Sequence, residues 1–213
     1  MLARRLTIPS FLALLGALAL PAPSLSAQQM TNPSDYPIGF GIAAGLLVPT
    51  GDISDFQSTG WNLQGFVDWT SRTQPFGLRG DISYGGLSGK TISAGGTSFE
   101  ASDLHLFSIT GDGVWMIHPS QGSTSRTTPY LLAGIGLYHS SFEVSGASSA
   151  DNSRTNFGIN FGGGVLYRLS GFSAFGEIRY HNVFSGSEGS NGESSSAHYI
   201  PIMVGLRFGG GGR

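Results

Sequence analysis

Ile200-Pro201-Ile202-Met203-Val204-Gly205-Leu206-Arg207-Phe208 is the stretch on which the fold turns. Ile200, Ile202, Val204, Leu206 and Phe208 share one parity, while Tyr199, Pro201, Met203, Gly205 and Arg207 share the other. Successive side chains of an extended backbone point to opposite faces, so this is a strand with one wholly apolar face and one mixed face. The segment before it repeats the pattern. Phe172, Ala174, Gly176, Ile178 and Tyr180 fall on one side, and Ser173, Phe175, Glu177, Arg179 and His181 on the other. Pro201 breaks the rule that a paired strand donates at every residue, so it is expected near a strand end or at a bulge.

Working outward, eight such segments are predicted, at about 38–48, 61–69, 76–86, 104–117, 129–142, 156–169, 172–184 and 198–208. None carries a helical period, and most contain glycines that would weaken a helix. The connections alternate in length. Long ones fall near 49–60, 87–103, 143–155 and 185–197; shorter ones fall near 70–75 and 170–171, with 118–128 between. An up-and-down antiparallel barrel gives this alternation when one rim bears loops and the other turns. Both termini then lie at the turn rim and the strand count is even: eight, with ten as the alternative. Ala94-Gly95-Gly96-Thr97 reads as a hairpin tip, predicting that strands three and four continue beyond the barrel as a ribbon.

Composition narrows the class. Charged residues are 11% of the chain, against roughly 25% in ordinary soluble domains, and there are 34 glycines. Recurrent apolar and aromatic residues argue against disorder. The chain has no cysteine, which removes disulfides, thiolate metal sites and a lipid-modified N-terminal cysteine. Lys90 is the single lysine and no basic patch exists, so nucleic acid is not an expected partner. At the N-terminus, Arg4-Arg5, the apolar run from Phe11 to Leu20, and Ser24-Leu25-Ser26-Ala27 have the layout of an export signal ending at Ala27. The alternative is an uncleaved anchor. The expected domains are a signal peptide (1–27), a short lead (28–37), the barrel (38–208) and a glycine-rich tail (209–213).

Alternation alone does not put a barrel in a membrane, because a soluble lipocalin-type barrel has the same period with the faces exchanged. The strand charges decide. Asp68, Arg79, Asp81, Asp112, Arg168, Glu177, Arg179 and Arg207 each lie on the parity opposite their strand's apolar side chains. Four acids and four arginines without lysine do not resemble a water-facing surface. They suit a confined lumen, where charges must be paired and a planar guanidinium bridges carboxylates. Asn62, Gln64, Ser83, Ser108, Thr110, Asn156 and Asn160 complete the polar face. Trp69, Phe76 and Phe172 next to the turns, and Tyr84, Tyr138 and Tyr180 towards the loops, are expected as two interfacial girdles. The reading is an all-β transmembrane barrel.

The chain resembles the small outer-membrane barrels of the OmpA-like and opacity-protein type. The parts that carry the resemblance are the export signal, Gly45-Leu46-Leu47-Val48-Pro49-Thr50-Gly51-Asp52, Pro129-Tyr130-Leu131-Leu132-Ala133-Gly134-Ile135-Gly136, and the closing strand. It implies residence in a Gram-negative outer membrane as a monomer, in contact with outer-membrane lipid and lipopolysaccharide. It also implies that Phe208 is the terminal aromatic read by the barrel-assembly machinery, although Gly209-Gly210-Gly211-Gly212-Arg213 follow it. Larger members carry a peptidoglycan-binding domain, for which this chain ends too early; no such attachment is expected.

No cofactor, metal or catalytic residue is assigned. An eight-stranded barrel has room only for its own side chains, so no large pore is expected. His181, Ser185, Ser187 and Glu193 could supply the nucleophile, base and orienting acid of an outer-wall esterase acting on lipid A. His181 shares the parity of Glu177 and Arg179, which turns it inward, and Val183 stands where that enzyme family has serine. His105, His118, His139 and His198 lack ligand spacing, and the Gly162-Gly163-Gly164 run lacks the strand–loop–helix setting of a phosphate cradle. The loops hold Asp52, Asp55, Glu100, Asp103, Glu143, Asp151, Glu188 and Glu193 against Lys90 and Arg154. That acidic excess is a solvated cover or a surface for adhesion or cations. The expected role is structural or surface-contacting, without turnover.

Overall fold

The computed structural model describes residues 38–70, 74–94, 97–100, 102–117, 125–142, 153–184 and 196–209. The expected signal peptide and lead, the tip glycines, His118, Glu143, Asp151, Ser185, Ser187, Glu188, Glu193 and the tail from 210 onward lie outside the described residues.

Eight long strands follow the alternating segments to within a few residues. They are β1 (Ile38–Thr50), β2 (Gly60–Thr70), β3 (Phe76–Leu87), β6 (Leu104–Met116), β7 (Thr127–Phe142), β8 (Ser153–Arg168), β9 (Phe172–Phe184) and β10 (Ser196–Gly209). A short helix α1 (Ile53–Phe56) and a hairpin of β4 (Thr91–Ala94) with β5 (Thr97–Glu100) belong to the loop rim. The long strands pair antiparallel with their sequence neighbours and β1 pairs with β10, closing a barrel that leaves no free edge.

The register fixes the barrel's dimensions. Cross-strand partners followed from Gly39 run through Asp68, Arg79, Asp112, Gly134, Asn160, His181 and Tyr199 and re-enter β1 at Pro49. That return ten residues along is the stagger of the barrel, and with eight strands it sets the tilt at roughly 35–45° and leaves a lumen narrow enough for side chains to fill. The same path shows that Asp68, Arg79, Asp112, Asn160 and His181 sit on one helical row of inward positions.

The apolar parity faces out. Ile42 is 63%, Leu78 64% and Val204 69% exposed, whereas Met203 is 1% and Leu47 2%. In water this would be an inside-out protein; in hydrocarbon it is the expected arrangement. Stacked aromatics ring the turn end, with Phe40 and Phe172 on Phe208 at 5.5 and 6.1 Å and Phe76 on Trp115 at 5.7 Å. A second ring at the loop end contains Trp61 with Tyr84 (5.6 Å), Phe161 with Tyr180 (5.3 Å) and Phe157 with Phe184 (6.2 Å). Tyr138 is a correction: it is 2% exposed and points into the lumen. It shares parity with Gly134 and Gly136, whose lack of side chains hid the inward face of β7.

Pro201 is a second correction. It lies within β10 opposite Leu47, and the register shows no bulge there. The strand accommodates it by giving up pairing on the other side: β10 matches β9 at Tyr199 and again at Ile202 with the register unchanged between. The expected ribbon forms as β4–β5, a two-stranded sheet of its own separated from β3 by Ser88-Gly89-Lys90. The first loop is tied to its base. Gln57 bridges Gly89, Ser58 N donates to Ser88 O at 2.8 Å, and Lys90 Nζ donates to Ser54 O at 2.5 Å.

Candidate functional site

The lumen is where this chain concentrates its polar chemistry. Arg79 and Asp81 are both inward residues of β3, two apart on one face. Arg79 Nε donates to Asp81 Oδ1 at 2.8 Å and Nη1 to Glu177 Oε2 at 2.8 Å, while the guanidinium lies 3.6 Å over the centre of the Phe66 ring. Glu177 and Arg179 repeat the two-residue spacing on β9. Arg179 Nε reaches Glu177 Oε1 at 2.6 Å, Nη2 reaches Asp81 Oδ1 at 3.0 Å, and Nη1 reaches Asp112 Oδ2 at 3.0 Å. Gln64 also donates to Asp81, Asn160 to Asp112 Oδ1 at 2.9 Å, and the Tyr130 hydroxyl to Glu177 Oε2 at 2.6 Å. β9 is thus joined across the axis to the neighbouring strands β3 and β6 by charge-assisted bonds, stronger than neutral ones.

Towards the turns lies a second, separate pair. Arg207 donates through Nε and Nη2 to the two oxygens of Asp68 at 2.7 and 2.6 Å, with Nη2 also reaching Thr70. The pair lies directly over Gly39: a Cβ there would come 2.6 Å from both Arg207 Nη2 and Asp68 Oδ1 and would push their side-chain ends aside. Arg168 is not brought to either group. It is the last residue of β8 and is exposed at the turn rim, so its inward parity leads to water rather than to a carboxylate. Seven of the eight inward charges therefore meet in the lumen, as four acids and three arginines.

Apolar clusters bracket the charges. Val114, Met116, Tyr130 and Leu132 pack with Leu166 on the turn side; Leu47, Leu87, Leu104, Tyr138, Val183 and Tyr199 pack on the loop side, with Ile53 of α1 against them. His181 is buried beneath that cap, stacked on Tyr199 at 4.8 Å, with Nδ1 2.9 Å from the Tyr138 hydroxyl. Among the described residues, two lumenal pockets each offer about 10 Å³ to the centre of a water molecule. That is room for about one water apiece. The sequence places Phe175 on the charged face of β9 but gives Phe66 no role, although it shares the parity of Asp68; Tyr130 and Tyr138 lie on β7, which has no charge to mark its inward face.

Among the described residues no group of three or more His, Cys, Asp or Glu side chains is placed to hold a metal. His105, His139 and His198 face outward at the loop end and bond through Nδ1 to hydroxyls of Tyr84, Thr155 and Tyr180 at 3.3, 2.9 and 2.8 Å. Of the residues weighed for an esterase, His181 is enclosed in the lumen, and its proposed partners lie outside the described residues.

A closed barrel with a hydrocarbon-facing wall, aromatic rings at both ends and ion pairs inside defines a transmembrane barrel of the outer-membrane class. The chain belongs to the outer membrane protein beta-barrel domain family, which it matches over residues 11–208. Its location is the cell outer membrane. Neisserial surface protein A has the same fold, with a TM-score of 0.58 at 16% identity over 80% of this chain and 96% of that one. Ail, the attachment invasion locus protein of Yersinia pestis, follows with a TM-score of 0.50 at 13% identity over 82% and 99%. The outer membrane enzyme PagL is a weaker match, with a TM-score of 0.38 at 15% identity over 80% and 98%. No curated protein matched the chain.

Proposed function

We propose that this protein is a closed, non-conducting barrel that serves the envelope as a structural and surface-contacting element, without catalytic turnover. The observation that carries this reading is the filled lumen. Its ion pairs span the axis from β3 to β9, apolar side chains close it above and below, and two pockets among the described residues hold about one water each. An open conduction path needs a continuous column of water, and breaking buried ion pairs to create one costs about 3–5 kcal/mol for each partner left unpaired. Planar-bilayer recording tests it. Only rare, small events are expected, and stable porin-sized conductance would defeat the proposal.

The chain works in this reading as a monomer embedded in lipid and lipopolysaccharide, delivered by the assembly machinery with Phe208 as its terminal aromatic. A second reading is favoured by the built rim. Helix α1 and Ser58 just beyond it are hydrogen-bonded to Ser88 and Lys90 at the base of the β4–β5 ribbon, which ties this part of the loop rim together. Surface contact through that ribbon is tested by deleting residues 91–100 and measuring binding of cells to host extracellular matrix; unchanged binding removes this reading and leaves the structural one.

A further inference from the structure

Three carboxylates face two guanidiniums at the centre of the lumen. Asp81, Asp112 and Glu177 are bonded to Arg79 and Arg179, and all five are buried. The Asp68–Arg207 pair balances itself nearer the turns, and Arg168 lies exposed at the rim. With every group ionised, the enclosed centre carries, among the described residues, one negative charge too many. Burying an uncompensated carboxylate between two apolar clusters is strongly unfavourable, and a carboxyl so placed takes a proton instead.

The geometry says where that proton sits. Asp81 Oδ1 accepts bonds from Gln64, Arg79 and Arg179, and both oxygens of Asp112 accept bonds. Asp81 Oδ2 is buried and has no donor. The two aspartates are diagonal inward neighbours on the paired strands β3 and β6, and the two Nη atoms of Arg179 hold one oxygen of each at 3.0 Å. Carboxylates this close repel when both are ionised and bond when one holds a proton. We propose that Asp81 and Asp112 share a single proton, carried on Asp81 Oδ2 and donated to Asp112. It is taken up from water as the barrel closes, leaving two carboxylates against two guanidiniums.

The other ionisable groups around the pair are Arg79 on β3, Tyr130 and Tyr138 on β7, Glu177, Arg179 and His181 on β9, and Tyr199 on β10. Glu177 is held by both arginines and Tyr130. His181 bonds to Tyr138 and stacks on Tyr199, with no carboxylate among its described hydrogen-bond partners. Neither is placed to take over the proton's part.

Infrared spectroscopy of the folded barrel in ester-free detergent micelles at neutral pH tests the assignment. The wild-type protein is expected to show the C=O stretch of one protonated carboxylic acid, shifted by carbon-13 labelling of aspartate. Asp81→Asn keeps the Oδ1 acceptor and supplies an N–H in place of the O–H, so it should remain folded, as judged by heat-dependent gel mobility, and lose the band. Asp112→Asn should lose the band as well. No such band in the wild-type protein overturns the proposal, because the excess charge is then met by a cation or a charged His181. A band that survives both substitutions, or that ignores the aspartate label, overturns it equally.

Discussion

Asp68 and Arg207 show what a single buried pair does in this barrel. Both oxygens of the carboxylate are taken by one guanidinium, so removing either partner strands a charge against Phe66 and Val114. Arg207→Leu is expected to lower stability by about 3–5 kcal/mol, and the double substitution Asp68→Leu/Arg207→Leu by markedly less, since a well-packed apolar pair replaces an ion pair at little net cost. Urea titration of the barrel in lipid vesicles measures both; equal losses in the single and double variants would show that the pair is not the cause. At this scale the sequence was informative about direction and silent about depth. Parity placed Arg79, Asp81 and Arg179 inward, but it treats Arg168 identically, and only the position of the β8 end puts that residue in water. The arithmetic of four against four was therefore legible, and the four against three that the lumen encloses was not.

Elements were the most legible level, because a lipid-facing strand must alternate at nearly every residue and turns interrupt that alternation visibly. The limits of β9 agree with the expected 172–184 at both ends. What escaped were features that depend on neighbours rather than on the strand itself. The inward direction of Tyr138 was hidden because β7 has Gly134 and Gly136 where larger inward side chains would have marked the row. The helix α1 is too short to leave a period. Pro201 was expected at a strand end because a proline cannot donate; it is tolerated inside β10 because pairing with β9 lapses around it while pairing with β1 continues. Pro201→Ala should let the backbone amide pair with β9 and stabilise the barrel by about 0.5–1.5 kcal/mol, the net worth of one such bond. Amide hydrogen exchange at residues 200–202 should slow in the variant; unchanged exchange would mean that the gap has another cause.

Taken whole, the molecule is a solvent-inverted cylinder, and its stability should depend on where along the axis a charge is placed. Val204 lies mid-strand opposite Ala44 and Gly176, fully on the lipid side; Ile38 starts β1 at the turn rim. Val204→Arg is expected to cost about 2–4 kcal/mol and Ile38→Arg no more than about 1 kcal/mol. Equal costs in vesicle unfolding experiments would contradict the membrane orientation, and a soluble barrel would show no such dependence on depth.

Closure of β1 against β10 has one more implication, for the order of the polypeptide itself. Gly39 is paired with Gly209, so the two ends of the described barrel are neighbours at the turn rim. A short linker could join them, and new ends could be opened at the Ser170-Gly171 turn without cutting a strand. Such a circular permutant would preserve every cross-strand partner while changing which strand leaves the ribosome last, and would thereby separate what the finished cylinder requires from what its delivery requires.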